Sequence, residues 1–224
     1  MTTRILLADD QELLRMGFRM VLDAQPDLDV IGEAGDGQAA VALAGELDPD
    51  LILMDVRMPV LDGVDATREL IAAGSRARII ILTTFDLDEY AYAALRAGAS
   101  GFLLKDAPPT DLLSAIRAVA SGDAVVAPST TRRLLETVAN HLPDGSASAA
   151  PAADSRLATL TPREHEVLVA VANGLSNAEI ATSLVLSEAT VKTHVGRVLA
   201  KLALRDRVQI VVYAYDHAIV RPGG

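Results

Sequence analysis

Short apolar runs alternate with amphipathic segments over the first 121 residues of the chain. The runs are bounded by turn residues such as Gly, Pro and Asp, which is typical of strands buried on both faces of a parallel sheet. The segments between them carry apolar residues at the spacing of a helix. This pattern predicts strands at Arg4–Ala8, Leu28–Glu33, Leu51–Asp55, Arg78–Thr83 and Gly101–Leu104, and helices near 11–24, 37–46, 64–74, 86–97 and 109–121.

Five β–α repeats in about 120 residues favour an α/β fold with helices on both faces of the sheet. The expected architecture of this region is a doubly wound, five-stranded parallel sheet. In such sheets, ligands bind beyond the carboxyl ends of the strands.

The pattern changes after residue 155, where helix start signals replace the apolar runs. Thr161 is followed by Pro162 and by Glu164, Ser176 is followed by Glu179 at the same spacing, and Ser187 precedes a third helix. These are N-cap and capping-box arrangements. Because only Val185 and Leu186 separate the second and third helices, the segment predicts a small all-α domain with a helix-turn-helix.

Between the two patterns, residues 141–155 read HLPDGSASAAPAADS and contain one large apolar side chain. Such a composition cannot form a core and is typical of a flexible linker. The sequence therefore predicts three parts: an α/β domain at 1–124, a helix near Thr130–Asn140 with a linker at 125–155, and a helical domain at 156–224.

Composition excludes several classes of protein. The chain has no cysteine, which excludes disulfide frameworks and thiolate metal sites. The N-terminal segment MTTRILLADD lacks the apolar length of a signal peptide, and no uncharged apolar run approaches the roughly 18 residues needed to span a bilayer. We therefore expect a cytoplasmic protein that does not associate with membranes.

The net charge of −10 argues against binding to nucleic acid, but its distribution changes that interpretation. Residues 1–155 contain 12 Lys and Arg against 24 Asp and Glu, whereas residues 156–224 contain 8 against 6. The basic residues of 187–207 are Lys192, Arg197, Lys201, Arg205 and Arg207. A cationic segment of this kind fits a phosphate backbone.

Polar side chains follow four of the five predicted strands. Asp9 and Asp10 follow the first, Asp55 ends the third, Thr83 ends the fourth and Lys105 follows the fifth. Three converging carboxylates repel one another unless a cation is present, and Mg²⁺ accepts carboxylate, water and phosphate oxygens. An ammonium and a hydroxyl at the same edge suit a phosphoryl group, and a central carboxylate can form an aspartyl phosphate.

These residues, with the segments MDVRMP around Asp55 and GFLLKD around Lys105, resemble the receiver domain of bacterial two-component response regulators. The resemblance implies that Asp55 accepts a phosphoryl group from a sensor histidine kinase. It also implies Mg²⁺ held by Asp10, Asp55 and the backbone carbonyl of Arg57, with Asp9 in support, and a switch pair formed by Thr83 and Phe102. Two positions depart from the common pattern, since Asp106 replaces a Pro after the lysine and Phe102 replaces a Tyr.

The third helix of the C-terminal domain has an apolar stripe of Val191, Val195, Val198 and Leu202, which must face the core. The residues left outward are Lys192, Thr193, Gly196, Arg197 and Lys201. They form the cationic face of a recognition helix. The alternative is a small helical bundle in which Lys and Arg are only the solvated face.

The segments LTPREHEVL, NAEIA and SEATVKTHV resemble the DNA-binding domain of the NarL/LuxR family. The resemblance implies a fourth helix at Asp206 to Val220 that pairs two subunits on an inverted repeat of double-stranded DNA. Gly196 departs from the family, where a larger polar residue is common. The implied base-edge readers are Lys192, Thr193 and Arg197, and the implied phosphate contacts or supports are Ser187, Thr190, His194 and Lys201.

Together these observations predict a phosphorylation-dependent transcription regulator that acts as a homodimer through its receiver and its last helix. One alternative is a phosphotransfer enzyme or phosphatase with Asp55 as the covalent intermediate. The sequence does not favour this alternative, because it has no second Asp two residues after Asp55, no substrate pocket loop and no obvious general base. Another alternative is a DNA-binding regulator that works regardless of phosphorylation, against which the complete acidic pocket argues.

Overall fold

The computed structural model describes residues 2–83, 88–121 and 154–220, without the side chains of residues 88, 89 and 91. The chain divides into two compact units, Met1–Asp123 and Ala124–Gly224. The helix predicted near Thr130–Asn140 and most of the predicted linker at 125–155 lie outside the described residues.

The first unit is built on a five-stranded parallel sheet in the order β2-β1-β3-β4-β5. The strand order reverses between β1 and β3, so the sheet is doubly wound, as the repeats predict. The fold class is confirmed, and each strand boundary agrees within one residue. The strands are β1 (Thr3–Ala8), β2 (Leu28–Ala34), β3 (Leu51–Asp55), β4 (Arg78–Thr83) and β5 (Gly101–Leu104).

Each strand is followed by a helix, and polar residues fix where several of these helices begin. The side chains of Asp36 and Asp62 accept hydrogen bonds from the first-turn N–H groups of α2 and α3, and Pro109 occupies the first turn of α5. The helices are α1 (Glu12–Asp23), α2 (Gly37–Leu47), α3 (Gly63–Ala72), α4 (Asp88–Ala97) and α5 (Pro109–Ala120).

The sheet is buried on both faces, which explains why its strands are almost continuously apolar. On one face, inward side chains of β1, β3 and β4 pack with Leu22 of α1 and with Leu112, Ile116 and Val119 of α5. The alternate positions, such as Ile52 and Ile81, are also fully buried. They point to the opposite face because side chains alternate along a strand.

In its described part, residues 154–220, the second unit is entirely helical, as predicted. Both capping boxes, Thr161 with Glu164 and Ser176 with Glu179, are confirmed, as is Ser187 as an N-cap. A short 3-10 helix (Leu157–Thr159) precedes α6 (Pro162–Ala172), α7 (Asn177–Leu184), α8 (Glu188–Leu202) and α9 (Arg207–Asp216).

A tight turn joins α7 to α8. Val185 adopts the left-handed conformation with φ of 54°, and the N–H of Leu186 donates to the carbonyl of Ala181 at 2.8 Å. This is a helix C-cap that ends α7, and α8 begins three residues later. The helix-turn-helix predicted from the short spacing is therefore present.

The last helix is shorter than the predicted Asp206 to Val220. Asp206 caps its start as predicted, but the helix ends at Asp216. Ala218, two residues later, has a φ of 53°, which is incompatible with a continuing right-handed helix. Across the described ranges, no helix combines the length and apolar character required to cross a membrane.

Candidate functional site

The carboxylates predicted to converge do meet at the point where the strand order reverses. β1 and β3 are adjacent, Asp9 follows β1 directly, and Asp55 is the last residue of β3. Asp9, Asp10 and Asp55 each offer a carboxylate oxygen, and these oxygens lie within 4.8 Å of one another. Asp9 and Asp55 are buried and Asp10 is exposed, so the cluster opens to solvent on one side.

Lys105 lies between the two buried carboxylates. Its Nζ atom is 2.8 Å from Asp9 Oδ2 and 2.8 Å from Asp55 Oδ2. The backbone N–H of Lys105 donates to the carbonyl of Thr83 at 2.7 Å, which fixes the lysine against the end of β4. The Lys105 ammonium therefore links the carboxylates at the ends of β1 and β3, while its backbone follows β5.

Burial affects the ionisation of both Asp55 and Lys105. It raises the pKa of Asp55 above its ordinary value, and the Asp9 carboxylate adds to this effect, although Lys105 opposes it. Burial disfavours the Lys105 ammonium, but hydrogen bonds to Asp55 and Asp9 outweigh it, so the pKa of Lys105 is raised. Three carboxyl groups with one ammonium leave an excess of negative charge, and their oxygen donors fit a hard divalent cation.

The segment after Asp55 folds back onto it. The N–H of Arg57 donates to Asp55 Oδ1 at 3.3 Å, and the N–H of Gly63 donates to the carbonyl of Val56 at 2.8 Å. A Cβ atom at Gly63 would overlap the carbonyl of Asp55, so only glycine allows this close approach. The loop between β3 and α3 therefore holds the Asp55 backbone in place.

Thr83 and Phe102 share one face of the sheet. Ile81 pairs with Phe102 and Thr83 pairs with Leu104, so Thr83 and Phe102 lie on neighbouring strands and point the same way. Both are buried. The structure thus brings the two residues of the predicted switch pair to one face of the sheet.

The recognition helix α8 buries Val191, Val198 and Leu202, and half-buries Val195, as the stripe predicts. The other side of the helix is exposed at Lys192, Thr193, Gly196 and Arg197. The hydroxyl of Thr193 donates to the carbonyl of Ala189 at 2.9 Å, within the same helix. The three predicted base-edge readers therefore share one open surface.

Ser187 and Thr190 occupy the first turn of α8. The Ser187 hydroxyl accepts from the N–H of Thr190 at 3.1 Å and lies 2.8 Å from the Thr190 hydroxyl. Ser187 is exposed and Thr190 is half-buried at the N-terminus of the helix, where the backbone dipole favours an anion.

Lys201 differs from the outward placement predicted for it. Its Nζ atom lies 2.6 Å from the buried Glu164 carboxylate and donates to the carbonyl of Thr159 at 2.9 Å. A lysine stem is long enough to turn inward from the edge of a helix. His194 is half-buried and its Nδ1 atom is shielded from solvent. The role of both residues as phosphate contacts or supports stays a prediction.

Several residues with a role in these sites escaped sequence reasoning. Arg207 was counted in the basic segment, but it is buried, and its guanidinium donates to Asn177 Oδ1 at 2.9 Å and to the Leu175 carbonyl. Burial lowers the pKa of Arg207 to about 10. The Arg163 guanidinium donates to the Leu184 carbonyl at the end of α7. Helical spacing in the sequence does not predict hydrogen bonds between residues this far apart in the chain.

The end of the predicted linker also belongs to the helical domain. Asp154 Oδ2 accepts from the Tyr213 hydroxyl at 2.8 Å and pairs with Arg156 at 2.7 Å. These donors lower the pKa of the Asp154 carboxyl below its ordinary value. The guanidinium of Arg156 in turn donates to the carbonyl of Leu202 at the end of α8 at 2.7 Å.

Comparison with known families accounts for both parts of the chain. Residues 5–117 match the response regulator receiver domain, and residues 158–214 match the bacterial regulatory proteins of the luxR family. The second match covers the helix-turn-helix and its capping boxes. It removes the alternative of a helical bundle with a merely solvated cationic face.

Full-length relatives agree with this assignment. The chain is 45% identical over 218 residues to the uncharacterized transcriptional regulatory protein YxjL of Bacillus subtilis, with 97% of each chain covered. It is 41% identical over 221 residues to the transcriptional regulatory protein LiaR of the same organism, which covers 97% of this chain and 99% of LiaR.

A solved structure has the same two-part organisation. The response regulator ChrA of a heme-sensing two-component system shares 33% identity, with a TM-score of 0.51 and coverage of 98% of this chain and 99% of ChrA. Because both domains match in order and the relatives align along nearly the whole chain, the protein belongs to the two-component response regulators that carry a luxR-type helix-turn-helix and regulate transcription.

Proposed function

We propose that Asp55 accepts a phosphoryl group from a sensor histidine kinase and that this modification controls the binding of α8 to double-stranded DNA. The observation that carries the proposal is the Lys105 ammonium 2.8 Å from both Asp55 and Asp9. It places a fixed cation beside a carboxylate that neighbours two more acidic groups, at the strand edge where such sheets bind ligands.

In the proposed reaction, an Asp55 carboxylate oxygen attacks the phosphorus of the donor, and the bond between phosphorus and the donor nitrogen breaks. Lys105 orients the acceptor and offsets charge on the phosphoryl oxygens. Asp10 and Asp55, with the Arg57 carbonyl and with Asp9 in support, are the groups that would hold Mg²⁺. When bound, the ion supplies positive charge to the transferred oxygens.

The phosphoryl group would be read by Thr83 and Phe102. In our proposal the Thr83 hydroxyl donates to a phosphoryl oxygen, and Phe102 on the same face takes up the space that Thr83 leaves. The surface formed by α4 and β5 changes as a result, because the pair lies on the strands that border it.

We assign kinase contact to α1. Three large apolar side chains on one side of this helix face solvent: Leu13 is 84%, Met16 is 53% and Met20 is 73% exposed. Their spacing forms a continuous stripe, and Gly17, also exposed, adds room for a partner helix. The stripe starts beside the acidic pocket, since the N–H of Gln11 donates to Asp9 Oδ1 at 2.8 Å.

On DNA, α8 would enter the major groove with Lys192, Thr193 and Arg197 toward the base edges. Ser187 and Thr190 would contact phosphates at the N-terminus of the helix, and His194 and Lys201 would support its position. The exposure of the first three residues and the capping geometry of the next two support this division.

We also propose homodimerisation through the receiver surface around α4 and β5 and through α9. Within the monomer, every residue of α9 from Val208 to Tyr215 except Gln209 is buried. Phosphorylation of Asp55 is the event to which we assign homodimerisation.

The test is labelling of the full chain with acetyl phosphate, followed by mass spectrometry and a DNA-binding assay. Wild type and the surface control Asp29→Asn are expected to gain one phosphoryl group and to bind DNA more tightly, whereas Asp55→Asn gains none and binds equally with and without donor. A label on Asp55→Asn moves the acceptor to another residue.

The same experiment separates the alternatives. With acetyl phosphate in excess, a phosphatase releases many phosphates per chain during the labelling period, whereas a regulator retains its phosphoryl group for most of that period. A phosphorylation-independent regulator binds DNA with the same affinity before and after labelling. Wild type that takes no label refutes the proposal.

A further inference from the structure

The guanidinium of Arg15 holds the peptide group that joins Asp9 to Asp10. Its Nη1 atom donates to the carbonyl of Asp9 at 2.5 Å. Arg15 belongs to α1, which begins two residues after Asp10. Because a peptide group is planar, a fixed carbonyl oxygen also fixes the N–H and the Cα atom of the next residue. The hydrogen bond from Arg15 therefore constrains Asp10 as well as Asp9.

Asp9 and Asp10 differ in how else they are held. The N–H of Asp9 donates to the carbonyl of Ala34 at 3.1 Å. Its Oδ1 atom accepts from the N–H of Gln11, and its Oδ2 atom lies against Lys105, each at 2.8 Å. Asp10 is exposed, and within the described ranges its side chain has no hydrogen-bond partner. The shared peptide group is thus the connection that sets the position of Asp10.

Glu33 fixes the orientation of the Arg15 guanidinium. The Nε atom of Arg15 lies 2.9 Å from Glu33 Oε2, and the Nη1 atom of Arg19 lies 2.6 Å from Glu33 Oε1. These bonds, that from Arg19 first, lower the pKa of Glu33 below its ordinary value although burial opposes them. Glu33 is therefore ionised at neutral pH, and charge-assisted hydrogen bonds to both of its oxygens hold the group in one geometry.

The effect of this group on the acidic pocket is geometric more than electrostatic. Arg19 also pairs with Asp23 at 3.3 Å, so two arginines face two carboxylates and their charges cancel. The side chain of Arg15 is 17% exposed and that of Arg19 is 44% exposed. Water therefore competes less for the bonds of Arg15 than for those of Arg19.

We propose that Arg15 is a positioning residue for the Mg²⁺ site and that Glu33 acts through it. The inference rests on the proposed function, in which Asp10 and Asp55 hold the ion. Arg15 keeps the peptide group between Asp9 and Asp10 in place, so that the Asp10 carboxylate stays beside that of Asp55. Groups that orient metal ligands from outside the coordination shell strengthen metal binding, and their loss weakens it.

The experiment titrates the unmodified full-length chain with Mg²⁺ in a calorimeter and then measures labelling by acetyl phosphate across the same Mg²⁺ concentrations. Arg15→Met keeps most of the apolar stem but removes the donors. It is expected to raise the Kd for Mg²⁺ roughly ten-fold, the lower end of the range for groups that orient metal ligands. Saturating Mg²⁺ is expected to restore the labelling rate, because Asp55 and Lys105 are unchanged.

Two control variants remove ion pairs that do not contact the Asp9 carbonyl. Arg19→Gln removes the other partner of Glu33, and Arg117→Gln removes an exposed pair with Asp27. Both are expected to bind Mg²⁺ as wild type does.

Glu33→Gln tests the orienting role of the carboxylate. Its single amide oxygen cannot replace the carboxylate for both guanidinium groups, so Mg²⁺ binding is expected to weaken by a smaller factor than in Arg15→Met. The double variant Arg15→Met/Glu33→Gln is expected to match Arg15→Met, because Glu33 acts through Arg15.

A merely structural role of Arg15 gives a different result. Arg15→Met would then unfold at lower temperature but bind Mg²⁺ as tightly as wild type, and that outcome overturns the inference. An equal effect of Glu33→Gln with Arg or Met at position 15 also overturns it. If Arg15→Met does not fold, Glu33→Gln decides, and unchanged Mg²⁺ affinity in that variant overturns the inference. Wild type that binds no Mg²⁺ and takes no label places the failure in the proposed function instead.

Discussion

The Lys201 ammonium lies 2.6 Å from the buried carboxylate of Glu164, so a cation of the recognition helix is bound to the helix behind it. Glu164 also closes the capping box of α6 by accepting from the Thr161 N–H at 2.8 Å. The pair thereby fixes the C-terminal end of α8 against the start of α6.

The pair predicts that Lys201 stabilises the domain, whereas Arg197 on the exposed face contributes to DNA binding. Lys201→Ala removes the ammonium partner of a buried carboxylate and leaves it the Thr161 N–H as a donor, so it is expected to lower the free energy of unfolding by about 1–3 kcal/mol. It is expected to leave the salt dependence of DNA binding unchanged. Arg197→Ala is the matched control on the exposed face: it should alter stability by less than about 0.5 kcal/mol and weaken DNA binding by about 1–3 kcal/mol with relaxed sequence preference. The opposite pattern would make Lys201 a phosphate contact.

Low pH is expected to weaken the ion pair between Lys201 and Glu164. The hydrogen bond from Lys201, followed by that from the Thr161 backbone, lowers the pKa of Glu164 to about 2 from an ordinary value of 4.5. Because the folded-state pKa is the lower one, the ionised carboxylate stabilises the domain above pH 4.5, and this contribution is lost as the pH falls toward 2. Glu164→Gln is expected to be less stable than wild type at neutral pH and to lose less stability on acidification, measured by thermal unfolding. Parallel pH profiles would contradict this.

The conformation of the loop after Asp55 requires that residue 63 have no side chain. Gly63→Ala places a methyl group against the carbonyl of Asp55, and we expect a loss of about 1–3 kcal/mol of stability together with slower labelling by acetyl phosphate. Gly45→Ala is the control, because a Cβ there meets no atom within 4 Å on helix α2. It should label normally and stabilise the helix by up to about 1 kcal/mol. Normal labelling of Gly63→Ala would show that the loop does not position the acceptor.

Gly196 allows the reading face of α8 to be tested directly. A Cβ at this position meets no atom within 4 Å, so Gly196→Ala is expected to stabilise the helix by about 0.5–1 kcal/mol without changing the preferred operator. Gly196→Asn adds a group that reads base edges and is expected to change that preference. Selection from a randomised half-site library measures both. Identical preferred sites for wild type and Gly196→Asn would mean that this position does not face the bases.

Local signals in the sequence predicted most of the fold. The run Leu51–Met54 must be a buried strand because it has no polar position, and the side chains of Thr161, Ser176 and Ser187 satisfy N–H groups within three residues of themselves. Such features depend on short-range chemistry, which a sequence displays directly. The convergence of Asp9 and Asp55 followed from the general rule for parallel sheets rather than from these residues alone.

The features that were missed involve long, flexible cations and distant partners. Helical spacing placed Lys201 outward, but its stem reaches Glu164, a residue 37 positions away whose burial the spacing does not reveal. Arg207 looked like part of a basic surface, yet it completes the hydrogen bonding of Asn177 and Leu175. The Arg57 guanidinium also lies over the Tyr90 ring, and this contact depends on how the loop after β3 folds back, which no local pattern specifies.

The inward turn of Lys201 limits how much sequence one copy of α8 can distinguish. The exposed reading positions run from Lys192 to Arg197, which spans about 7.5 Å along a helix and corresponds to roughly two to three base pairs. A word of three base pairs recurs by chance about once in 64 positions, far too often to mark a promoter in a genome. Two such three-base-pair sequences at a fixed separation recur by chance about once in 4,000 positions. In the homodimer proposed above, the spacing between the two copies of α8 would therefore contribute to recognition as much as the bases that either copy contacts.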